Sequence, residues 1–160
     1  VDFATFPIGS PVSKLNCQLK TFNNIKGKKQ GKYTLDANDT AIIRCELANG
    51  ALGTIQTTRW ATGYINSLKL EIFGEKGGLR IDLDEDYDRY EICSGRNLKA
   101  NQWKKVSCKP VPDPMQSFIT SIRTGRNAQP DFARGAEIQK VLDTCFDSDR
   151  NGKTLTIKKR

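Results

Sequence analysis

Apolar and polar residues alternate with a period of two over roughly the first two thirds of the chain, and with a period near 3.6 after that. From Ser10 to Phe22, Ser13, Leu15, Cys17, Leu19 and Thr21 alternate with Val12, Lys14, Asn16, Gln18 and Lys20. That is the pattern of a strand with one face buried. Residues 23–37 are polar, carry Gly27 and Gly31, and read as a loop. Over residues 39–47, Ala41, Ile43, Cys45 and Leu47 share one face and Thr40, Ile42, Arg44 and Glu46 the other. Asn49-Gly50 then predicts a hairpin, because both residue types tolerate positive φ, and the return strand covers residues 51–59. Leu68, Leu70 and Ile72 mark a further strand. The turn Gly74-Glu75-Lys76-Gly77-Gly78 separates it from Leu79, Ile81 and Leu83. Two more strand-like runs hold Tyr90 and Ile92 and follow Trp103.

The change of period marks two helices. Asp113 is placed to cap the first, with Pro114 at its opening position, where a missing N–H costs nothing. Met115, Phe118, Ile119 and Ile122 form its stripe, and Gly125 ends it. Asp131 caps the second. Its apolar stripe reads as Phe132, Ile138, Val141, Leu142, Cys145 and Phe146, and Gly152 terminates it. A short strand from Leu155 to Ile157 closes the chain. Strands followed by helices predict an α+β fold: an open, mainly antiparallel sheet of about six strands with helices covering one face. The other face would carry Ile42, Arg44, Glu46, Lys69, Glu71, Phe73, Arg80 and Asp82. A mixed surface of that kind suits solvent or a partner subunit.

Charge and composition narrow the chemistry. The net charge is +8, which raises the odds of an anionic partner. The lysines fall in three separate places, however: Lys26, Lys28, Lys29 and Lys32; Lys104, Lys105 and Lys109; and Lys158, Lys159 and Arg160. No basic stripe runs along a helix, so no nucleic-acid partner is expected. No apolar run approaches the roughly 20 residues that span a bilayer, so no membrane partner is expected either. Cys17, Cys45, Cys93, Cys108 and Cys145 form no CxxC pair. They read as small core residues of a protein kept reduced, which points to the cytoplasm. The chain has no histidine, which excludes a Ser-His-Asp triad, a Cys-His pair and a His-ligated metal within it. The carboxylate run from Asp82 to Asp88 lacks the spacing of a calcium loop and reads as a polar turn. The glycine-rich turn at 74–78 joins two strands and opens no helix, so it reads as a hairpin and not a phosphate cradle.

The local feature that best suggests binding is Arg59-Trp60-Ala61-Thr62-Gly63-Tyr64-Ile65-Asn66. Arg59 and Asn66 can bond hydroxyl groups, and Trp60 or Tyr64 can cover the apolar face of a sugar ring. The structural alternative is that Trp60 and Tyr64 plug the edge of the core.

Asp39-Thr40-Ala41, followed by Asn49-Gly50-Ala51-Leu52-Gly53-Thr54-Ile55, resembles a core motif of the Gfo/Idh/MocA oxidoreductases, the family of glucose–fructose oxidoreductase and inositol dehydrogenase. Residues 59–64 with 70–79 are similar to a second motif of that family, and residues 118–125 with 130–143 to its C-terminal signature. The resemblance covers nearly all of residues 1–158. It implies a parent enzyme with an N-terminal Rossmann domain that binds NAD or NADP and is absent from this chain. Residues 1–9 are then the tail of the helix preceding the domain, and residues 10–160 the C-terminal substrate-binding and oligomerisation domain. The family's catalytic Lys, in a Glu-Lys-Pro motif, and its His, in an Asp-x-x-x-His motif, have no counterpart here. Asp2 looks like an Asp of the helix that follows that His, which places the His just upstream of Val1. In the parent, the substrate alcohol loses a proton to the His and a hydride to the nicotinamide, with the Lys assisting. The resemblance therefore implies no catalytic, cofactor or metal residue in this chain, and no activity for it alone. It leaves Arg59, Trp60, Tyr64 and Asn66 as substrate-binding candidates on a sugar, polyol or related hydroxylated substrate. A homo-oligomer, dimer or tetramer, is expected through the open sheet face. The alternative is a non-catalytic binding or assembly module of the same fold.

Overall fold

The computed structural model describes residues 1–22 and 27–157. Lys26, Lys158, Lys159 and Arg160 lie outside the described residues, as does part of the loop read over 23–37. The class is α+β, as the order of periods predicts. Two compact units are present: Val1–Thr62 with Gln129–Arg160, and Gly63–Ala128.

The first unit opens with helix α1, Asp2–Ile8, which ends on Gly9 in the left-handed conformation (φ 65°). Its sheet has the order β10-β1-β4-β5, formed by β1 (Val12–Lys20), β4 (Thr40–Leu47), β5 (Leu52–Thr58) and β10 (Leu155–Thr156). All the pairings are antiparallel. A register shift between Val12 and Lys14 puts Val12 inside with Leu15 and Cys17. Strict alternation had set Val12 on the opposite face, and the extra residue of a bulge removes that conflict. The hairpin between β4 and β5 differs in detail from its prediction. Leu47 N–H bonds Ala51 C=O (2.8 Å) and Gly50 N–H bonds Leu47 C=O (2.9 Å). Three residues make the connection, and only Gly50 takes positive φ (86°). A three-residue loop closed by a left-handed glycine gives the same strand twist as a two-residue turn. A two-stranded ribbon, β2 (Lys29–Gln30) and β3 (Tyr33–Thr34), lies inside the region read as loop.

Helix α4, Phe132–Asn151, packs on β1. Asp131 caps it by accepting the Arg134 N–H (2.9 Å), a bond that also holds its carboxyl below the usual carboxylate range. Val12, Leu15, Cys17, Ile43, Cys45 and Leu47 of the sheet meet Val141 and Cys145 of the helix in one core. The buried line of α4 is Val141, Cys145 and Ser148, whereas Phe132 is 96% and Phe146 51% exposed. The stripe read from the sequence is thus rotated. The face that docks buries Val141 and Cys145 in the core and also brings Ser148 and Asp149 to backbone amides of β1.

The second unit is a meander in the order β6-β7-β8-β9. Its strands are β6 (Lys69–Gly74), β7 (Gly77–Asp82), β8 (Arg89–Ser94) and β9 (Lys104–Ser107). Hydrogen bonding therefore divides the long strands into two four-stranded sheets. Glu75 and Lys76 make the tight turn between β6 and β7. Leu70, Ile72, Leu79, Ile81, Tyr90, Ile92 and Val106 share one half-buried face. The polar turn predicted at 82–88 is present, with Asp82 and Asp86 accepting the backbone N–H of Asp84 (3.0 Å) and Asp88 (3.1 Å). Helix α2, Arg96–Ala100, was not anticipated. Helix α3, Pro114–Thr124, starts at Asp113, which accepts the Met115 N–H (2.8 Å), and stops at Gly125. Its expected stripe of Met115, Phe118, Ile119 and Ile122 is exposed.

Candidate substrate-pocket residues

The four residues singled out for substrate binding fall as two pairs, one in each unit. Arg59 and Trp60 stand where β5 ends. The ladder closes there because Thr58 turns its hydroxyl to the Thr40 hydroxyl (2.9 Å) and accepts the Trp60 N–H (3.1 Å). Arg59 N–H bonds Asp39 C=O (2.9 Å), and Thr62 N–H bonds Trp60 C=O (2.9 Å). Asp39 in turn accepts the Phe22 N–H (2.8 Å) and the Thr40 hydroxyl (3.1 Å). Backbone bonds on both sides therefore fix where Arg59 and Trp60 leave the strand, while their side chains stay exposed. Trp60 is 55% exposed and Tyr64 57%, so neither plugs the core. Arg59 has no ion pair among the described residues.

Tyr64 and Asn66 lie in the segment leading into β6. That segment is pinned at its end. Ser67 donates to Asp84 (2.7 Å) and Leu83 N–H bonds Leu68 C=O (3.1 Å). The Lys69 ammonium sits 5.7 Å from the centre of the Tyr64 ring and pairs with Asp82 (2.7 Å) and Asp84 (3.5 Å). The hydrogen bond to Asp82 raises the pKa of Lys69, and the same bond lowers that of Asp82. Both groups are charged at neutral pH, so a fixed cation stands over the aromatic face. Asn66 is exposed. Each pair joins an aromatic residue and a hydrogen-bonding residue one or two positions apart along the chain, the two kinds of group that a hydroxylated ring with an apolar face requires.

Two features escaped the sequence reading. The first is a groove of about 470 Å³ on the open face of the first sheet, walled by Lys14, Asn16, Arg44, Glu46, Leu52 and Thr54. Lys14 and Glu46 pair across it at 3.2 Å. The alternation had marked Arg44 and Glu46 as outward, but side chains from three strands are needed to make a concavity. The second is Trp103. Its ring lies 4.5 Å from the Arg80 guanidinium, which is also ion-paired with Glu91. A Cβ at Gly78 would come within 2.8 Å of the Trp103 ring. A glycine inside a strand is the signal for such a close approach.

Among the described residues, no group of three His, Cys, Asp or Glu side chains is arranged to hold a metal ion, and no helix is long and apolar enough to cross a membrane. All five cysteines are free. Burial raises the thiol pKa of Cys17 and Cys45 and pushes that of Cys145 up to about 12, where the neighbouring Cys17 adds to the effect. These thiols serve as small apolar residues. Cys108 is exposed, unlike the core role expected for all five, because it lies just beyond β9 in an irregular segment.

Known proteins agree with this architecture. A family model described as the Gfo/Idh/MocA oxidoreductase family, C-terminal alpha/beta domain, matches residues 8–157. Levoglucosan dehydrogenase of Pseudarthrobacter phenanthrenivorans is 21% identical, over 92% of this chain and 47% of its own length. A crystal structure of an oxidoreductase domain protein from Kribbella flavida superposes with a TM-score of 0.83 at 22% identity, covering 99% of this chain and 49% of that one. A structure of levoglucosan dehydrogenase in complex with NADH and levoglucosan gives 0.83 at 21% identity, covering 100% and 48%. The chain thus spans about half the length of the relatives it matches.

Proposed function

The chain belongs to the Gfo/Idh/MocA oxidoreductase family, as its C-terminal alpha/beta domain, and on that premise we propose that it forms the substrate-pocket and assembly half of an NAD(P)-dependent dehydrogenase. The substrate class is a sugar, polyol or related hydroxylated compound. The observation that carries this reading is the match over residues 8–157 to a C-terminal domain, together with relatives twice as long, one of which is a sugar dehydrogenase that binds NADH.

The described residues do not fit a dinucleotide. Their glycine-rich turn, 74–78, joins β6 to β7, and no helix N-terminus follows to face a phosphate. The coenzyme is therefore assigned to the other half of the parent, and the chain alone is expected to be inactive. What this chain supplies is a wall. In the first unit, Arg59 is our candidate donor to a substrate hydroxyl and Trp60 our candidate ring for an apolar face; in the second unit, Asn66 and Tyr64 are candidates for the same two roles, with the Lys69 ammonium over the Tyr64 ring. Binding of this kind orients the reacting carbon, and orientation is a large part of catalysis. The free, buried cysteines are consistent with a reducing, cytoplasmic compartment.

Kinetics of the full-length protein test this wall. Arg59→Ala and Tyr64→Ala are each expected to raise KM for the polyol, or to lower kcat/KM, by roughly tenfold, with KM for the coenzyme unchanged. Wild-type constants in both variants remove these residues from the pocket. A wild-type protein that oxidises no polyol with NAD or NADP favours the assembly-module reading.

The open face of the first sheet is our candidate for self-association. It presents Ile42 (47% exposed) and Leu52 (83% exposed) between charged neighbours, which is the composition of an interface core with a polar rim. Analytical ultracentrifugation should show a dimer or tetramer that Ile42→Asp dissociates. A monomeric wild-type protein at micromolar concentration removes this assignment.

A further inference from the structure

We propose that Arg134 fixes the direction in which the polypeptide enters this domain, and is thereby a positioning residue for the dehydrogenase reaction. The proposal rests on the reading above, in which a coenzyme-binding half precedes α1. Arg134 stands in the first turn of α4 with its side chain only 18% exposed. Three guanidinium nitrogens are engaged. Nε donates to Asp2 Oδ1 (2.8 Å), Nη2 to Thr5 Oγ1 (2.6 Å) and Nη1 to Glu137 Oε2 (3.1 Å). Thr5 is buried at 3%, and its hydroxyl also reaches the Val1 C=O (3.3 Å). The Arg134 backbone is held in turn by the Asp131 cap.

Asp2 and Thr5 are three residues apart, on one face of α1. A planar fork that grips both fixes the rotation of the helix about its axis as well as its distance from α4, which a point charge cannot do. Little else can. A seven-residue helix is too short to be stable alone. α1 has no side-chain N-cap and carries Pro7 within it. Its remaining anchors, Val1 and Ile8, pack against the core, and apolar contact is non-directional. Apart from Ile8, α1 lies outside the family match at residues 8–157, and on the reading above it leads in from the preceding half. A tilt at Asp2 would displace whatever lies upstream, where the family resemblance places the catalytic His.

The test uses the full-length protein with Arg134→Lys, and Thr5→Val as a second variant whose charge is unchanged. Hydrogen exchange of the Ala4, Thr5 and Gly9 amides is expected to speed up about tenfold in both, while α4 stays protected. kcat is expected to fall roughly 10- to 100-fold with KM for the coenzyme unchanged. Unchanged exchange in α1 overturns the clamp. Looser α1 with wild-type kcat overturns the positioning role. An inactive wild-type protein overturns the dehydrogenase reading and the reaction half of this proposal with it, and the exchange result then decides the clamp by itself.

Discussion

Replacing Leu15 with alanine is expected to cost about 3–4 kcal/mol of folding stability, in the middle of the range for buried leucines. Leu15 is 1% exposed. It lies opposite Cys45 on one side and Leu155 on the other, at the centre of a core that has few large members. Three of the eight buried residues of that core are cysteines, and small side chains cannot swing in to fill a vacated volume. The lost transfer energy and the cavity therefore add. At roughly 2–4 °C per kcal/mol for a chain of this size, the midpoint of thermal unfolding should fall by about 6–16 °C. Val111→Ala is the control: Val111 is 84% exposed, and its change should stay within about 0.5 kcal/mol. A loss below about 1 kcal/mol for Leu15→Ala would mean that the sheet and α4 are not packed as described.

Ser148→Ala is expected to cost about 1–3 kcal/mol although it removes a single oxygen, because the buried Cys17 amide loses its partner, and the part-buried Lys153 carbonyl loses one as well. Ser148 is completely buried. Its hydroxyl accepts the Cys17 N–H (2.9 Å) and donates to the Lys153 C=O (2.6 Å). The reason lies in the sheet. β10 is two residues long and pairs with β1 only at Lys14 and Leu15, so the β1 edge beyond Leu15 has no strand beside it. Ser148 serves the Cys17 N–H there and Asp149 serves the Leu19 N–H (2.9 Å). Side chains of α4 thus complete the ladder that β10 leaves short, and they cover an edge that would otherwise invite pairing with another chain. Amide exchange can separate this from a general loss of stability. In Ser148→Ala the Cys17 amide should lose far more protection than the Ile43 amide on the neighbouring strand. Equal losses at both amides would refute the edge-capping role.

Local chemistry was legible in the sequence wherever it is self-sufficient. Period two along β1, β4 and β6 set which side chains face inward, because a pleated strand has no third choice. Asp113, Gly125, Asp131 and Gly152 marked both ends of α3 and α4, because a cap acts within a few residues of itself. The pairing of Arg59 with Trp60, and of Tyr64 with Asn66, is adjacency along the chain and needed no fold. The preference for small, neutral, buried thiols at Cys17, Cys45 and Cys145 was likewise readable from their apolar neighbours.

The tertiary structure alone decided the rest, and in each case through an interaction between residues distant in sequence. Val12 moved to the inner face because a bulge against β4 added one residue to the count. α4 docks on the line of Val141, Cys145 and Ser148, which also brings Ser148 and Asp149 to amides of β1 about 130 positions earlier. Trp103 found Arg80 and Gly78 only once β7, β8 and β9 were in register. Arg134, which reads on the sequence as one more surface cation on a helix, became the link between the two ends of the first unit. Periodicity records how each residue relates to its neighbours along the chain. It carries no record of which backbone groups a short strand will leave for a distant helix to satisfy.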